Sequence, residues 1–234
     1  MAVIKTKNLE RAYQDGDNEI MAVNGVDLEV QKGEFTAVVG PSGSGKTTLL
    51  NLIGGLDKPT AGEVVVDGKH IQELSDNQLI NFRLKHIGFV FQAYNLIPVL
   101  TAYENVEFIM LLQGWSRQKR DQRVRQLLHA VGLEDQMHKR PSHLSGGQQQ
   151  RVAVARALAS RPAFILADEL IANLDSSSTA NLLDIMHRLN QEEEMTFVFA
   201  THDQRVIDRA RRVVTVEDGK IKSDETRPAS VTQE

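Results

Sequence analysis

Apolar residues in this chain fall into two patterns, short dense runs and longer stripes at helical spacing, and the two occupy different stretches. AVIKTKNL (Ala2–Leu9) alternates apolar and polar in places, as a strand with one covered face does. GDNEIMAVNGVDLEV (Gly16–Val30) predicts a hairpin with Gly25 near its turn. FTAVVG (Phe35–Gly40) is almost wholly apolar and suits a strand buried on both faces. From Lys46, KTTLLNLIGG reads as a helix stopping at Gly54–Gly55. AGEVVVDGKHI predicts a strand that turns at Asp67–Gly68. The middle is helical in pattern, in NLIPVLTAYENVEFIMLLQGW (Asn95–Trp115) and SRQKRDQRVRQLLHAVGL (Ser116–Leu133). In the latter Val124, Leu127, Leu128 and Val131 form one core stripe, and Gly132 suits a C-cap. RVAVARALAS is a further helix. FILAD (Phe164–Asp168) and TFVFAT (Thr196–Thr201) read as buried parallel strands. Strand–helix–strand alternation around a helical insert predicts an α/β fold with a central, mainly parallel sheet. SDETRPASVTQE (Ser223–Glu234) is polar and reads as a loose tail.

Composition narrows the function classes. At 234 residues the chain is one large domain, or a domain with a subdomain. Its net charge of −4 argues against a dedicated nucleic-acid binder and against a polybasic membrane anchor. Cysteine is absent, which excludes disulfides, thiolate metal sites and a cysteine nucleophile. MAVIKTKNLERAY has no apolar run after its basic residues, so no secretory signal is expected. The longest apolar stretches are too short to cross a bilayer, so any membrane contact goes through a partner. Two cationic runs, Arg117 to Arg125 and Arg205 to Arg212, read as solvated faces.

The chemistry concentrates in four places. Gly40-Pro41-Ser42-Gly43-Ser44-Gly45-Lys46-Thr47 matches G-x-x-x-x-G-K-[ST], with a strand running in and a helix running out. Its glycines turn backbone N–H groups toward phosphates, and the helix N-terminus adds positive potential. Lys46 would reach the outer phosphates, the Thr47 hydroxyl would ligate Mg²⁺, and Thr48 completes the nucleotide-binding set. Asp168-Glu169 ends an apolar strand, where open α/β sheets bind ligands. Asp168 is placed to hold Mg²⁺, and Glu169 to polarise an attacking water. His202 follows TFVFAT, at the same edge of the sheet. Leu144-Ser145-Gly146-Gly147-Gln148 opens a helix and forms a second anion-binding element. A domain of this size does not need two such elements, but a head-to-tail dimer does, each chain completing the other's site.

In chain order the phosphate loop, LSGGQ, the acid pair and His202, at this spacing, resemble the ATP-binding cassette of ABC transporters, over about Val3 to Lys222. The resemblance implies a P-loop NTPase (RecA-like) core, an N-terminal antiparallel β subdomain and a helical subdomain at about residues 93–156. It implies ATP and Mg²⁺ as ligands and Glu169, His202 and Lys46 as the catalytic group. Tyr13 would stack on adenine, Gln92 at the end of IGFVFQ would touch Mg²⁺ and sense the transporter, and Asn173-Leu174-Asp175 would cross a dimer interface. Its partners would be integral membrane permease subunits and a second cassette, identical or homologous, at the cytoplasmic face of the cell membrane. LIGGLDKPTAGEV, IGFVFQAYNLIPVLTAYENVE and LSGGQQQRVAVARAL are similar to the lipoprotein-release, macrolide-export and cell-division cassettes. One departure stands out. Where the family usually has Pro-Thr-Gly after the acid pair, this chain has Leu170-Ile171-Ala172, and we expect the two aliphatics to bury against a neighbouring apolar surface. The rival reading is a soluble ABC-type ATPase such as a cluster-assembly factor. A P-loop kinase or GTPase would leave LSGGQ unexplained.

Overall fold

The computed structural model describes residues 1–16, 18–171 and 174–227. Two long strands, β1 (Ala2–Asp15) and β2 (Asn18–Gln31), form an antiparallel hairpin. Its turn lies between Asp15 and Asn18 and not at Gly25. Gly25 instead sits in a bulge within β2: the pairing slips between Leu9–Val26 and Arg11–Val23, and Gly25 takes φ 67°. β3 (Phe35–Val39) leads through the glycine loop into α1 (Lys46–Ile53). β4 (Ala61–Val66) and the short β5 (Lys69–His70) follow, joined by the expected Asp67–Gly68 turn.

α2 (Asp76–His86) has no clear apolar stripe and is announced in the sequence only by its capping box, Ser75 with Gln78. β6 (Ile87–Val90) then opens the helical insert. The insert holds α3 (Ala102–Leu112), α4 (Arg117–Ala130) and α5 (Gly146–Ala159). The helix expected from Asn95 starts only at Ala102, because Thr101 and Glu104 close a capping box there. Upstream, Tyr94 and Asn95 have positive φ and Pro98 interrupts the chain. The chain closes with β7 (Phe164–Asp168), α6 (Ser176–Glu193), β8 (Thr196–Ala200), α7 (Gln204–Ile207), β9 (Arg212–Glu217) and β10 (Lys220–Thr226).

β6 to β10 and β3 form one sheet in the order β10-β9-β3-β8-β7-β6, parallel except for the β9–β10 hairpin. The other sheet, β2-β1-β4-β5, is antiparallel. Alternation along the parallel strands divides the core in two. Ile165, Ala167, Phe197 and Phe199 face the cluster built with α3 to α6. Phe164, Leu166, Val198 and Ala200 face α1 and the antiparallel sheet. Both faces of the sheet are covered, which explains the near-continuous apolar runs.

Two expectations change here. Ser223–Thr226 belongs to β10 and is not tail, because Arg212 grips Asp224 at 2.7 Å while Ser223 bonds Thr215. Residues 228–234 lie outside the described residues. The cationic runs are also less solvated than their composition implies. Arg212 is clamped between Glu34 and Asp224, and Arg123 is buried with a Leu158 carbonyl and Gln126 as partners.

Candidate functional site

Four adjacent parallel strands deliver the predicted residues to one edge. The glycine loop leaves β3, His202 lies just past β8, Glu169 follows β7, and Gln92 follows β6. Together they line a cleft of about 580 Å³ with Gly40, Pro41, Ser42, Gly43, Gly45, Lys46, Thr47 and Thr48. This is the carboxyl edge at which open α/β sheets bind ligands.

The loop is fixed by close backbone packing. A Cβ on Gly40 would come within 2.0 Å of the Val216 carbonyl oxygen, and one on Gly45 within 2.1 Å of that of Ala22. Only glycine fits at either place. The Gly219 N–H donates to the Ser44 carbonyl, and the Asn24 N–H donates to the Gly219 carbonyl, so the β9–β10 turn ties the bulge in β2 to the loop. Ala22 also lines the cleft, a contribution the sequence does not signal. Within the loop the Lys46 ammonium donates to the carbonyls of Gly40 and Pro41, at 2.9 and 2.8 Å. The Ser44 hydroxyl is buried and has no partner. A loop with an orphaned buried hydroxyl, a folded-back lysine and the uncapped N-terminus of α1 fits a phosphate chain.

The acid pair diverges in environment. Asp168 is partly buried, and burial pushes its carboxyl above the usual range despite a 3.2 Å hydrogen bond from the Thr47 hydroxyl. The Thr47 oxygen and the Asp168 carboxylate make a hard-oxygen donor set that suits Mg²⁺. Glu169 has φ 47°, unusual for a glutamate, and its N–H extends the ladder to the Ala200 carbonyl at 2.9 Å. Its Oε1 lies 2.8 Å from Nδ1 of His202, whose side chain is 72% exposed. Leu170 and Ile171 are buried in the main core, as expected of the aliphatic substitution. Ala172 and Asn173, from the same substitution and the adjoining interface loop, lie outside the described residues.

Three predicted elements stand apart from this cleft. Ser145 to Gln148 do not line it. Ser145 caps α5 and Gln148 closes its capping box, so within one chain both serve the helix start. Gly146 follows in the first turn, and a Cβ on Gly147 would meet the Ser178 hydroxyl at 2.7 Å. Asp175 caps α6 and accepts from Ser177 and Ser178, which hold its carboxyl well below the usual range. Tyr13 donates to Asp57 at 2.7 Å, and the Arg11 guanidinium lies 4.5 Å from its ring centroid. Among the described residues no cluster of three or more His, Asp or Glu could hold a metal by itself, and no helix is long and apolar enough to cross a membrane.

The sequence matches the ABC transporter family over residues 23–172. The chain belongs to that family. It is 45% identical over 224 residues to the lipoprotein-releasing system ATP-binding protein LolD 1 of Caulobacter vibrioides, covering 95% of each chain. It is 44% identical over 232 residues to the macrolide export ATP-binding/permease protein MacB of Hyphomonas neptunium, covering 99% of this chain and 36% of that protein. The chain thus spans about a third of the macrolide-export relatives it matches. A solved ATP-binding cassette of Methanocaldococcus jannaschii, dimeric and bound to ADP and Pi after hydrolysis, superposes with a TM-score of 0.89. It is 42% identical, over 97% of this chain and 99% of that one. As a cassette of this family, the chain is an ATP-binding, ATP-hydrolysing transporter subunit.

Proposed function

We propose that this cassette powers a membrane permease of the lipoprotein-release or macrolide-export kind through ATP-driven head-to-tail dimerisation. One observation carries the reading: the cleft gathers the phosphate loop, Gln92, Glu169 and His202, while the second glycine loop lies outside it. A partner chain turned head to tail would supply that missing wall. Ser145, Gly146 and Gly147 of one chain would face the γ-phosphate held by the other, and Gln148 and Asp175 would support the interface. Tyr13 would offer the base the ring face opposite Arg11.

In hydrolysis Lys46 leaves its loop carbonyls for the outer phosphates, and the loop amides take the remaining charge. Thr47, Asp168 and Gln92 would hold Mg²⁺, which when bound supplies positive charge against the phosphates. Glu169 orients the attacking water, and His202 holds Glu169 in place and faces the γ-phosphate. ATP favours the closed dimer only by its greater affinity for that state. Losing the γ-phosphate link reopens it, and the motion does work on the permease at the cytoplasmic face of the cell membrane.

An apolar groove beside Phe91 supports docking near Gln92. Ile80, Leu84, Phe89, Ile109 and Leu112 line it, and Ile80 and Leu112 are exposed. The test uses Glu169→Gln, which should bind Mg-ATP, dimerise, and hydrolyse at least about 100-fold more slowly than the parent. Trapped with Mg-ATP in detergent-solubilised membranes, it should co-purify a permease with few spans and a large external domain. Normal turnover would remove the role given to Glu169. A many-span permease would remove the export subgroup, and a soluble partner alone would remove the transporter reading.

A further inference from the structure

A second pocket, of about 600 Å³, opens on the helical insert and shares no lining residue with the nucleotide cleft. Its wall carries Trp115, Ser116, Lys119, Arg123, Gln126 and Arg161, and no carboxylate. Arg123 is 5% exposed, and its Nε has no partner although Nη1 and Nη2 bond Gln126 and the Leu158 carbonyl. Glu193, at 3.9 Å, is the one carboxylate near it among the described residues. Arg161 adds a second guanidinium, 5.8 Å from the Trp115 ring centroid and close enough to Arg123 to repel it. Neither Lys119 nor Arg161 has a carboxylate within ion-pair distance among the described residues.

The helix that starts here is built against its own dipole. Ser116 caps α4 without a side-chain hydrogen bond, and the first turn contains no acid but carries Arg117 and Lys119. Cations at a helix N-terminus are unfavourable, and the free N–H groups there attract anions. Three cations and an uncapped helix start therefore converge on one concavity, and the guanidinium of one of them, Arg123, keeps a buried nitrogen without a partner. A phosphate suits them because it carries up to two charges and can accept from a guanidinium fork and from backbone N–H groups together.

We propose that this pocket binds the phosphate group of a small phosphorylated molecule or of a lipid headgroup. Arg123, Arg161, Lys119 and the start of α4 receive the phosphate, and Trp115 walls the organic remainder. Occupancy relieves the repulsion between Arg123 and Arg161 and completes the cap of α4.

Trp115 is the one tryptophan of the chain, so its emission reports this pocket directly. The protein is saturated with Mg-ADP, which fills the nucleotide cleft, and is titrated with glycerol 3-phosphate. A parallel series uses vesicles of phosphatidylglycerol in phosphatidylcholine. Either probe should give a saturable emission change, and the responding probe identifies the source of the phosphate. Lys119→Gln and Arg161→Asn alter exposed side chains outside the cleft, and each should weaken the response about tenfold while basal ATP hydrolysis is unchanged. No emission change with either probe up to about 20 mM phosphate would overturn the proposal. So would an equal change with potassium chloride at matched ionic strength, or an undiminished response in both variants.

Discussion

At Asp168 and Glu169 two local costs meet. A glutamate at positive φ costs about 1 kcal/mol, and the residue is held there by what surrounds it. Its N–H is bonded to Ala200, and the two residues that follow are buried at 3% and 1% exposure. Burying Leu170 and Ile171 contributes roughly 2 kcal/mol each, enough to offset the strained backbone. Aliphatic packing thus holds the strained backbone in place without the fixed φ of a proline or the freedom of a glycine. The neighbouring Asp168 carries a cost of another kind. Burial raises its carboxyl pKa, so the folded chain holds that proton more tightly than the unfolded chain does. The associated stability is fully present below the ordinary carboxylate value and is lost as pH rises through the raised one. At neutral pH, without Mg²⁺, the Asp168 carboxylate is therefore a burden on the fold. Asp168→Asn should raise the melting temperature of the nucleotide-free protein at pH 7, with the gain fading toward about pH 4. The same variant should lose at least about 100-fold in Mg²⁺-dependent hydrolysis. Thermal melts across pH, paired with phosphate release, check both directions; an Asn variant less stable at pH 7 would contradict this account.

Among the elements, the start of α5 matters most, because it joins the helical insert to α6. Gly147 is buried, and Ser178 on the facing turn of α6 is itself fastened to Asp175. A methyl group at Gly147 would press on the Ser178 hydroxyl at 2.7 Å and on its Cβ at 2.9 Å. Gly147→Ala should therefore destabilise the chain by about 1–3 kcal/mol despite the better helix propensity of alanine. Adding Ser178→Gly removes both clashing atoms and should restore part of the loss. Urea unfolding of the two single variants and the double variant measures the coupling. Additive losses would show that the contact is not what limits position 147.

For the whole molecule, the arrangement of the two glycine loops and the apolar groove decides how one chain acts. The groove lies between α2, β6 and α3, next to the strand end that delivers Gln92, so a segment seated in it would press on the nucleotide cleft. Ile80→Glu together with Leu112→Glu should leave basal hydrolysis within about twofold of the parent, since both side chains are exposed and neither lines the cleft. The pair should abolish co-purification of the permease with the ATP-trapped cassette. Retained capture by the doubly charged groove would move the docking surface elsewhere.

Much of this was legible in the chain itself. The phosphate loop, the acid pair, the LSGGQ element and His202 each occupy consecutive residues at a strand end or helix start, where local sequence dictates backbone direction. The buried strands were equally plain, because strands covered on both faces must be apolar throughout. What the sequence left open depends on distant partners. The bulge at Gly25 exists because β2 must meet both β1 and the β9–β10 turn. α2 presents no clear stripe, so its packing emerges only against the finished sheet, whereas α6 carries a plain stripe in Leu182, Leu183, Met186 and Leu189. Arg123 and Arg212, set in charged runs, are buried and half-buried respectively because partners from other elements arrive beside them. Sequence by itself determined which chemistry the chain carries and which strand ends carry it. Tertiary structure alone decided that the second glycine loop lies outside the first one's cleft, because the helical insert places the start of α5 away from the edge shared by β3, β8, β7 and β6.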